Sequence, residues 1–283
     1  MTFYGPIVAL SLLLLIRARA KVAGTTLAAV WAWAVAAVLA VGGVELAIFA
    51  IASSEPPSEM ILPAWATAAR YAAAVLSLCP TISLLGAKRP QDRAWQWVVL
   101  SFWGIMLVPA ARVLLLYNDS SVSPHPAQGT LLLVVVAMGA VNWIATRFAI
   151  PAAMAAIAQL LLIAPYTPLD GVVPDVAPQF ALGGVLASLL ACLLLEFTPT
   201  RRRAINRTWL DFRDHYGLFW SARVMVRMNA SARKHSMPVV ITWRGVHAGE
   251  ADRAKQEEFA RSLAMLLRRF VSSQWIAERA RKA

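Results

Sequence analysis

The chain has 283 residues, is 59% apolar and carries a net charge of +12. A soluble globular chain is nearer about 45–50% apolar, so composition argues against one water-soluble domain and for a polytopic membrane protein. The charge is lopsided: from Pro199 onward there are 18 Lys and Arg against 7 Asp and Glu, and the first 198 residues are close to neutral. That tail faces a polyanion: a leaflet surface, a nucleic acid or an acidic partner. Two cysteines, Cys79 and Cys192, both in apolar runs, give no disulfide framework.

Phe3 to Ile16 is apolar and is followed by Arg17, Arg19 and Lys21. A signal peptide carries its positive charge before the apolar region, so a retained first span entering from outside is expected. Val22 to Ser53 forms a second span of roughly 48 Å, longer than the ~30 Å hydrocarbon core. Gly24, Ala28, Ala32, Ala36 and Ala40 recur every four residues, a stripe on which a neighbouring helix can approach closely. The third span covers 61–85, and Pro80 should kink it and free a carbonyl one turn earlier. The fourth runs from Trp95 and Trp97 to about residue 117. Thr130–Phe148 and Pro151–Pro165 make the fifth and sixth. One kinked helix over that stretch would be about 54 Å long, so a hairpin with Arg147 at its tip fits better. The seventh, 180–197, carries a second small-residue stripe of Gly184, Ser188 and Cys192.

Basic residues gather at 17–21, 88–93, 147 and 201–203, while the loops at 54–60, 118–128 and 166–179 are acidic or neutral. These alternate, which predicts seven spans, an outer amino terminus and a cytosolic carboxyl tail. Glu196 to Arg203 is the boundary. Pro199 stops a helix, and Arg201, Arg202 and Arg203 meet the anionic head groups of the cytosolic face at about 1 kcal/mol each.

In the tail, Thr208 to Asp211 has the pattern of a capping box, with Gly217 as the C′ residue. A second helix over 218–234 would pack Leu218, Ala222, Met225 and Ala232. Met237 to Trp243 reads as a strand whose only candidate partner is Val246-His247. A third helix, 252–270, sets Phe259, Leu263, Leu266, Leu267 and Phe270 on one face. A short helix with Trp275 and Ile276 ends the tail, and eighty residues suffice for a small core.

No Gly-rich phosphate loop, nucleophile elbow or zinc motif occurs. Asp211, His215, His235 and His247 match no metal-ligand spacing, and no cofactor is indicated. Trp209, Phe212, Tyr216, Phe219 and Trp220 interleave with basic residues, but their helical spacing suits a core better than a nucleic-acid platform. Glu45, Arg70 and Arg112 are ionisable groups inside predicted spans, where each costs roughly 2.5–3.5 kcal/mol; Asn142 and Gln159 are milder cases. They lie roughly 12, 13 and 9 Å in from the outer end. A Glu45–Arg70 pair with Arg112 beside it would leave one surplus cation and suit an anionic ligand; a purely structural pair is the other reading.

The run from Cys79 to Asp92, CPTISLLGAKRPQD, and the segment Trp209 to Trp220 resemble a family of uncharacterised planctomycete membrane proteins. The resemblance implies a bacterial inner-membrane protein and adds no activity or ligand.

The expected fold is an all-α seven-helix membrane bundle, 1–198, with a small, mainly helical basic cytosolic domain, 199–283. The expected function is a non-enzymatic anchoring, sensing or scaffolding role through the tail, whose partners are the bilayer, its anionic head groups and a further protein. A transporter or membrane-embedded enzyme using Glu45, Arg70 and Arg112 is the alternative.

Overall fold

The computed structural model describes residues 4–53, 63–116, 122–171, 178–196, 204–249 and 253–281. Helix α1 (Tyr4–Val22) runs on through Arg17, Arg19 and Lys21, past the end of the apolar stretch. A turn at 23–27 follows, in which Gly24 takes a φ of 73°, and only then does α2 (Ala28–Ala52) begin. The turn removes Gly24 from the expected stripe and leaves Ala28 and Ala32 exposed. The buried face of α2 is instead Ala37, Val38, Val41, Gly42, Glu45 and Ile48. Gly42 makes the close approach there: a Cβ on it would sit 2.4 Å from Val8 Cγ2 of α1.

The third span is broken into α3 (Ala64–Leu76) and α4 (Cys79–Leu85), with Pro80 in the first turn of α4. Proline lacks the N–H that would continue the ladder. At the break the Ser77 carbonyl instead accepts a 2.7 Å bond from Gln159 Nε2. Helices α5 (Trp95–Met106) and α6 (Val108–Leu116) are likewise two pieces, bent by 46°. Helix α7 (Pro126–Trp143) opens with Pro126 and a reciprocal cap from His125 and Gln128. A tight turn holding Arg147 leads into α8 (Ala149–Ile163), so this pair is a hairpin and not one kinked rod. A 3₁₀ turn, Ala164–Tyr166, ends α8, and α9 (Pro178–Glu196) packs along it. Gly184 and Ser188 lie in that seam: a Cβ on Gly184 would be 3.0 Å from Ala158, and Ser188 Oγ donates to the Pro151 carbonyl.

The chain is mostly helical. Among the described residues, four helices are long and apolar enough to cross a membrane: Ala28–Ala52, Ala64–Leu85, Pro126–Trp143 and Ala149–Tyr166; the bent α5–α6 pair makes a fifth. The apolar part of α9, Phe180–Glu196, is shorter, and α1 carries three basic residues near its end.

The tail begins with α10 (Ala204–Lys234), interrupted at Gly217, where φ is 68° and ψ −163°. Thr208 therefore lies inside a helix and is not its N-cap. The turn before it is held from outside, because Asn206 Oδ1 accepts the Val246 N–H. Beyond Gly217 the buried residues are Trp220, Ser221, Val224, Met228 and Ala232, so only Ala232 of the expected face is fully buried. Strands β1 (Val239–Thr242) and β2 (Gly245–Ala248) form the antiparallel hairpin, with Val240 opposite His247. Asn229 closes the free edge of β1 by bonding both the N–H and the carbonyl of Ile241. Helices α11 (Arg253–Leu267) and α12 (Ser273–Arg281) complete the tail, with Phe259, Leu263, Leu267 and Trp275 buried.

The tail's core is not its own. Trp209, Phe212, Tyr216, Trp220 and Phe270 pack in one cluster with Leu27, Leu84 and Ala87 from the bundle. Stacking of Phe212 on Tyr216 at 4.7 Å and edge contacts from Phe270 tie its centre. These aromatics form a core, as their helical spacing suggests.

Candidate functional site

Two polar regions lie at opposite ends of the helices. The first is built on Glu45 and Arg70. Arg70 Nε donates to Glu45 Oε1 at 2.8 Å and Nη2 to Oε2 at 2.7 Å, a bidentate pair. The Glu45 side chain is 5% exposed and that of Arg70 is 28% exposed. The pair therefore opens to one side, onto a cavity of about 380 Å³. Tyr166, Asp170 and Thr67 supply its other polar wall, and Val41, Leu161 and Leu162 its apolar wall. Tyr166 is fixed by an edge contact with buried Tyr71 at 4.8 Å.

Arg112 is exposed on α6 and does not line this cavity. The expected surplus cation is thus absent from it. Asp170 stands at the wall instead, so among the described lining residues acids outnumber bases by one. An anionic ligand loses its argument here, and a ligand with a cationic or hydrogen-bond-donor group fits the charge better. Arg201, Arg202 and Arg203 lie outside the described residues.

A smaller, mostly apolar cavity of about 170 Å³ adjoins the first through Val41 and Leu162. Gln159, Ser77 and Pro80 line it, so it reaches the break between α3 and α4.

The second polar region is the seam between bundle and tail. The break at Gly217 leaves backbone groups of α10 without helical partners. Asn142 of α7 takes them: its Oδ1 accepts the Phe219 N–H at 2.9 Å and its Nδ2 donates to the Tyr216 carbonyl at 3.5 Å. Tyr216 donates its hydroxyl to the Phe270 carbonyl at 2.7 Å and accepts the Thr26 N–H. Burial pushes its phenol up to about 12, so it keeps the proton it donates. Trp220 Nε1 donates to the Leu84 carbonyl and Trp243 Nε1 to that of Ala145. Asp214, fully buried, pairs with Arg213 at 2.6 Å and lies 3.3 Å from Arg147. Main-chain bonds from Ser272 to Gly24 and from Arg89 to Arg269 complete the seam.

His215 sits in this seam. Its Nδ1 lies 2.6 Å from the Asp211 carbonyl, which can only accept, so Nδ1 carries the proton. Burial holds its pKa below the usual histidine value; Arg279 and Arg147 push the same way, against the Asp211 carbonyl and carboxylate. The unfolded chain then binds a proton that the folded one resists. Stability from this group is present above about pH 6.5 and declines as pH falls through that value. Thermal unfolding of the full chain in detergent between neutral pH and pH 5 should show this loss, and His215→Gln should flatten it. An unchanged slope in the variant would assign the loss to other groups.

Among the described residues no group of three or more His, Cys, Asp or Glu could hold a metal ion. Asp211 is taken by Arg279 at 3.0 Å, and His247 bonds Thr242 within the hairpin. Sequence reasoning missed Asp170, Tyr166, Thr26 and Asp214. None of them stood out in the sequence: Asp214, for one, lies in a helix that also holds Arg207, Asp211 and Arg213. Comparisons with protein-family models, with curated proteins and with solved structures give no match.

Proposed function

We propose that this is a seven-span bacterial inner-membrane protein with a non-enzymatic sensing role. A small polar ligand enters the Glu45–Arg70 cavity from outside, and the cytosolic tail relays its presence to a protein partner. One observation carries this reading. Helix α2 bears Glu45 toward one end and begins beside Thr26 and Leu27, inside the tail's core. The α3–α4 segment bears Arg70 toward the same outer end and finishes at Leu84, in the same core. The two partners of the pair thus sit on two of the elements that reach the tail, with a break at Ser77 that can absorb a change of angle. The resemblance to planctomycete membrane proteins agrees with this placement, and Arg201, Arg202 and Arg203 are assigned to the anionic head groups of the cytosolic leaflet.

Filling the cavity tests the coupling. Val44→Phe places a ring in its wall without touching the pair. Hydrogen exchange of the full chain in lipid discs should then change at Thr26 and along the first half of α10. Exchange altered only around the cavity, with the tail unmoved, would refute the relay. The orientation is tested separately: a reporter at the carboxyl end should be active only in the cytosol, and one inserted near position 121 only outside. Periplasmic activity at the carboxyl end would overturn it.

A transporter is the second reading, favoured by the smaller cavity that adjoins the first and reaches the broken helix. The two readings differ in solvent access. Labelling of Leu162→Cys and Ser77→Cys by an impermeant maleimide from outside would favour a transport path; labelling confined to Val44→Cys would favour the sensor.

A further inference from the structure

The turn between α11 and α12 lies against the loop between α4 and α5. The Arg89 N–H donates to the Arg269 carbonyl at 2.8 Å, and Arg89 Nη1 donates to the Arg268 carbonyl at 3.3 Å, across 179 residues of sequence. A cationic donor suits carbonyls just past a helix C-terminus, and that accounts for Arg89. It does not account for the charges gathered around it. The segments 86–93 and 268–272 hold five basic residues, Lys88, Arg89, Arg93, Arg268 and Arg269, and one acid, Asp92. The four arginines are exposed and Lys88 is half-exposed. Among the described residues none of the five forms an ion pair. A carbonyl bonds the Arg89 guanidinium without neutralising it.

Like charges brought this close repel, and docking of the tail is what brings the two segments together. The molecule also shows which surface relieves that repulsion. Helix α5 begins directly after the loop and belongs to a bent pair apolar enough to cross a membrane. Trp97 is 73% exposed, and Val98 and Leu100 are exposed beside it. Trp97 follows Arg93 by four residues, roughly 6 Å of helix rise. A bare tryptophan at the end of an apolar span marks the membrane interface, so the loop stands at the level of the lipid head groups. Trp97 and Leu100 share one face of α5, which suits hydrocarbon better than the stacking of nucleic-acid bases.

We propose that the loop 86–93 and the turn 268–272 form one docking surface for anionic phospholipid head groups of the adjoining leaflet, and that these head groups hold the tail against the bundle. A negative surface binds the docked tail better than the undocked one, because only docking gathers the charges. The proposal rests on the membrane placement given above and not on the sensing relay. It differs from the contact assigned to Arg201, Arg202 and Arg203 in that it spans bundle and tail.

The test compares the full chain in discs of phosphatidylcholine with the full chain in discs of equal parts phosphatidylcholine and phosphatidylglycerol. Hydrogen exchange is read at the N–H groups of Thr26, Arg89 and Ser272, which bond across this junction to Phe270, Arg269 and Gly24. Exchange there should be roughly tenfold slower in the anionic discs, and the difference should fade as salt is raised. Arg268→Gln combined with Arg269→Gln changes two exposed side chains, so it should melt no lower in phosphatidylcholine and should lose the lipid dependence. Arg233→Gln with Lys234→Gln removes the same charge from the exposed end of α10 and should keep it. Equal exchange of the wild type in the two lipids would overturn the proposal. So would lipid dependence that persists in the Arg268→Gln, Arg269→Gln variant. Equal slowing by inorganic phosphate or by a short DNA duplex in phosphatidylcholine discs would overturn the leaflet as the partner. The discs carry the same lipids on both faces, and the Glu45–Arg70 cavity is untouched, so failure here is distinguishable from failure of the orientation or of the sensing reading.

Discussion

Glu45→Gln should destabilise the protein by about 3–5 kcal/mol, the usual cost of leaving one partner of a buried pair uncompensated. The carboxylate binds Arg70 through both oxygens, and it is the more deeply buried of the two. After the change a guanidinium remains among Val41, Ala73 and Leu162 with no counter-charge against it. Among the described residues Asp170 is the only other acid in the cavity wall, and it is exposed at the rim. The double variant Glu45→Gln with Arg70→Gln should recover much of the loss, because two neutral amides can bond each other. Unfolding in mixed detergent micelles, read by tryptophan fluorescence, gives the three numbers needed for the cycle. If the double variant is as unstable as the single one, the pair is not the main source of the loss.

The other large effect is expected at Gly217. Its backbone, at φ 68° and ψ −163°, lies in a region that only glycine enters readily. A Cβ there would also lie 2.1 Å from Asn142 Nδ2 and 2.6 Å from the Asn142 carbonyl oxygen. A side-chain rotation of Asn142 could relieve the first overlap but not the second, because that partner is backbone. Gly217→Ala should cost about 3 kcal/mol or more from strain and lost hydrogen bonds together. Asn142→Ala should show a smaller part of the same loss, about 1–3 kcal/mol, because it frees the Tyr216 carbonyl and the Phe219 N–H without straining the backbone. Limited proteolysis around residue 217 and a melting curve report both. Full stability of Gly217→Ala would mean that α10 runs through this position without a break.

Much of the bundle was legible because hydropathy and helix length fix it. Helices lie at the predicted positions, though only four of those described, or five with the bent pair, are long and apolar enough to cross a membrane, and the hairpin at Arg147 followed from length alone. The Glu45–Arg70 pair was legible for the same reason: two costly groups at similar depth on consecutive helices have few other partners. Arg112 was misjudged because depth along a helix says nothing of which face a residue takes. The bend between α5 and α6 sets that face, and Pro109, in the first turn of α6 as Pro80 is in that of α4, was the signal left unread. The Ala stripe of α2 failed at Gly24, where a turn replaced the continuous helix that the spacing assumed. The tail was read as an independent unit because its own apolar periodicity was satisfying in isolation. Its real partners include a leucine at each of two helix ends, Leu27 and Leu84, and one amide, Asn142, none of which carries a sequence signal of docking.

That shared core bears on how the chain reaches its native state. Tyr216 meets Thr26 across 190 residues of sequence, and Trp220 meets Leu84 across 136. Such closures carry the largest loop entropy and form late. Every bundle helix is synthesised before α10, so the tail finds a finished platform only if each preceding hairpin has packed in register. A bundle with one misplaced helix would lack Thr26, Leu84 or Asn142 at the required position, and the aromatic cluster around Tyr216 would stay exposed. Closure of the tail thus depends on the placement of α2, α4 and α7 together.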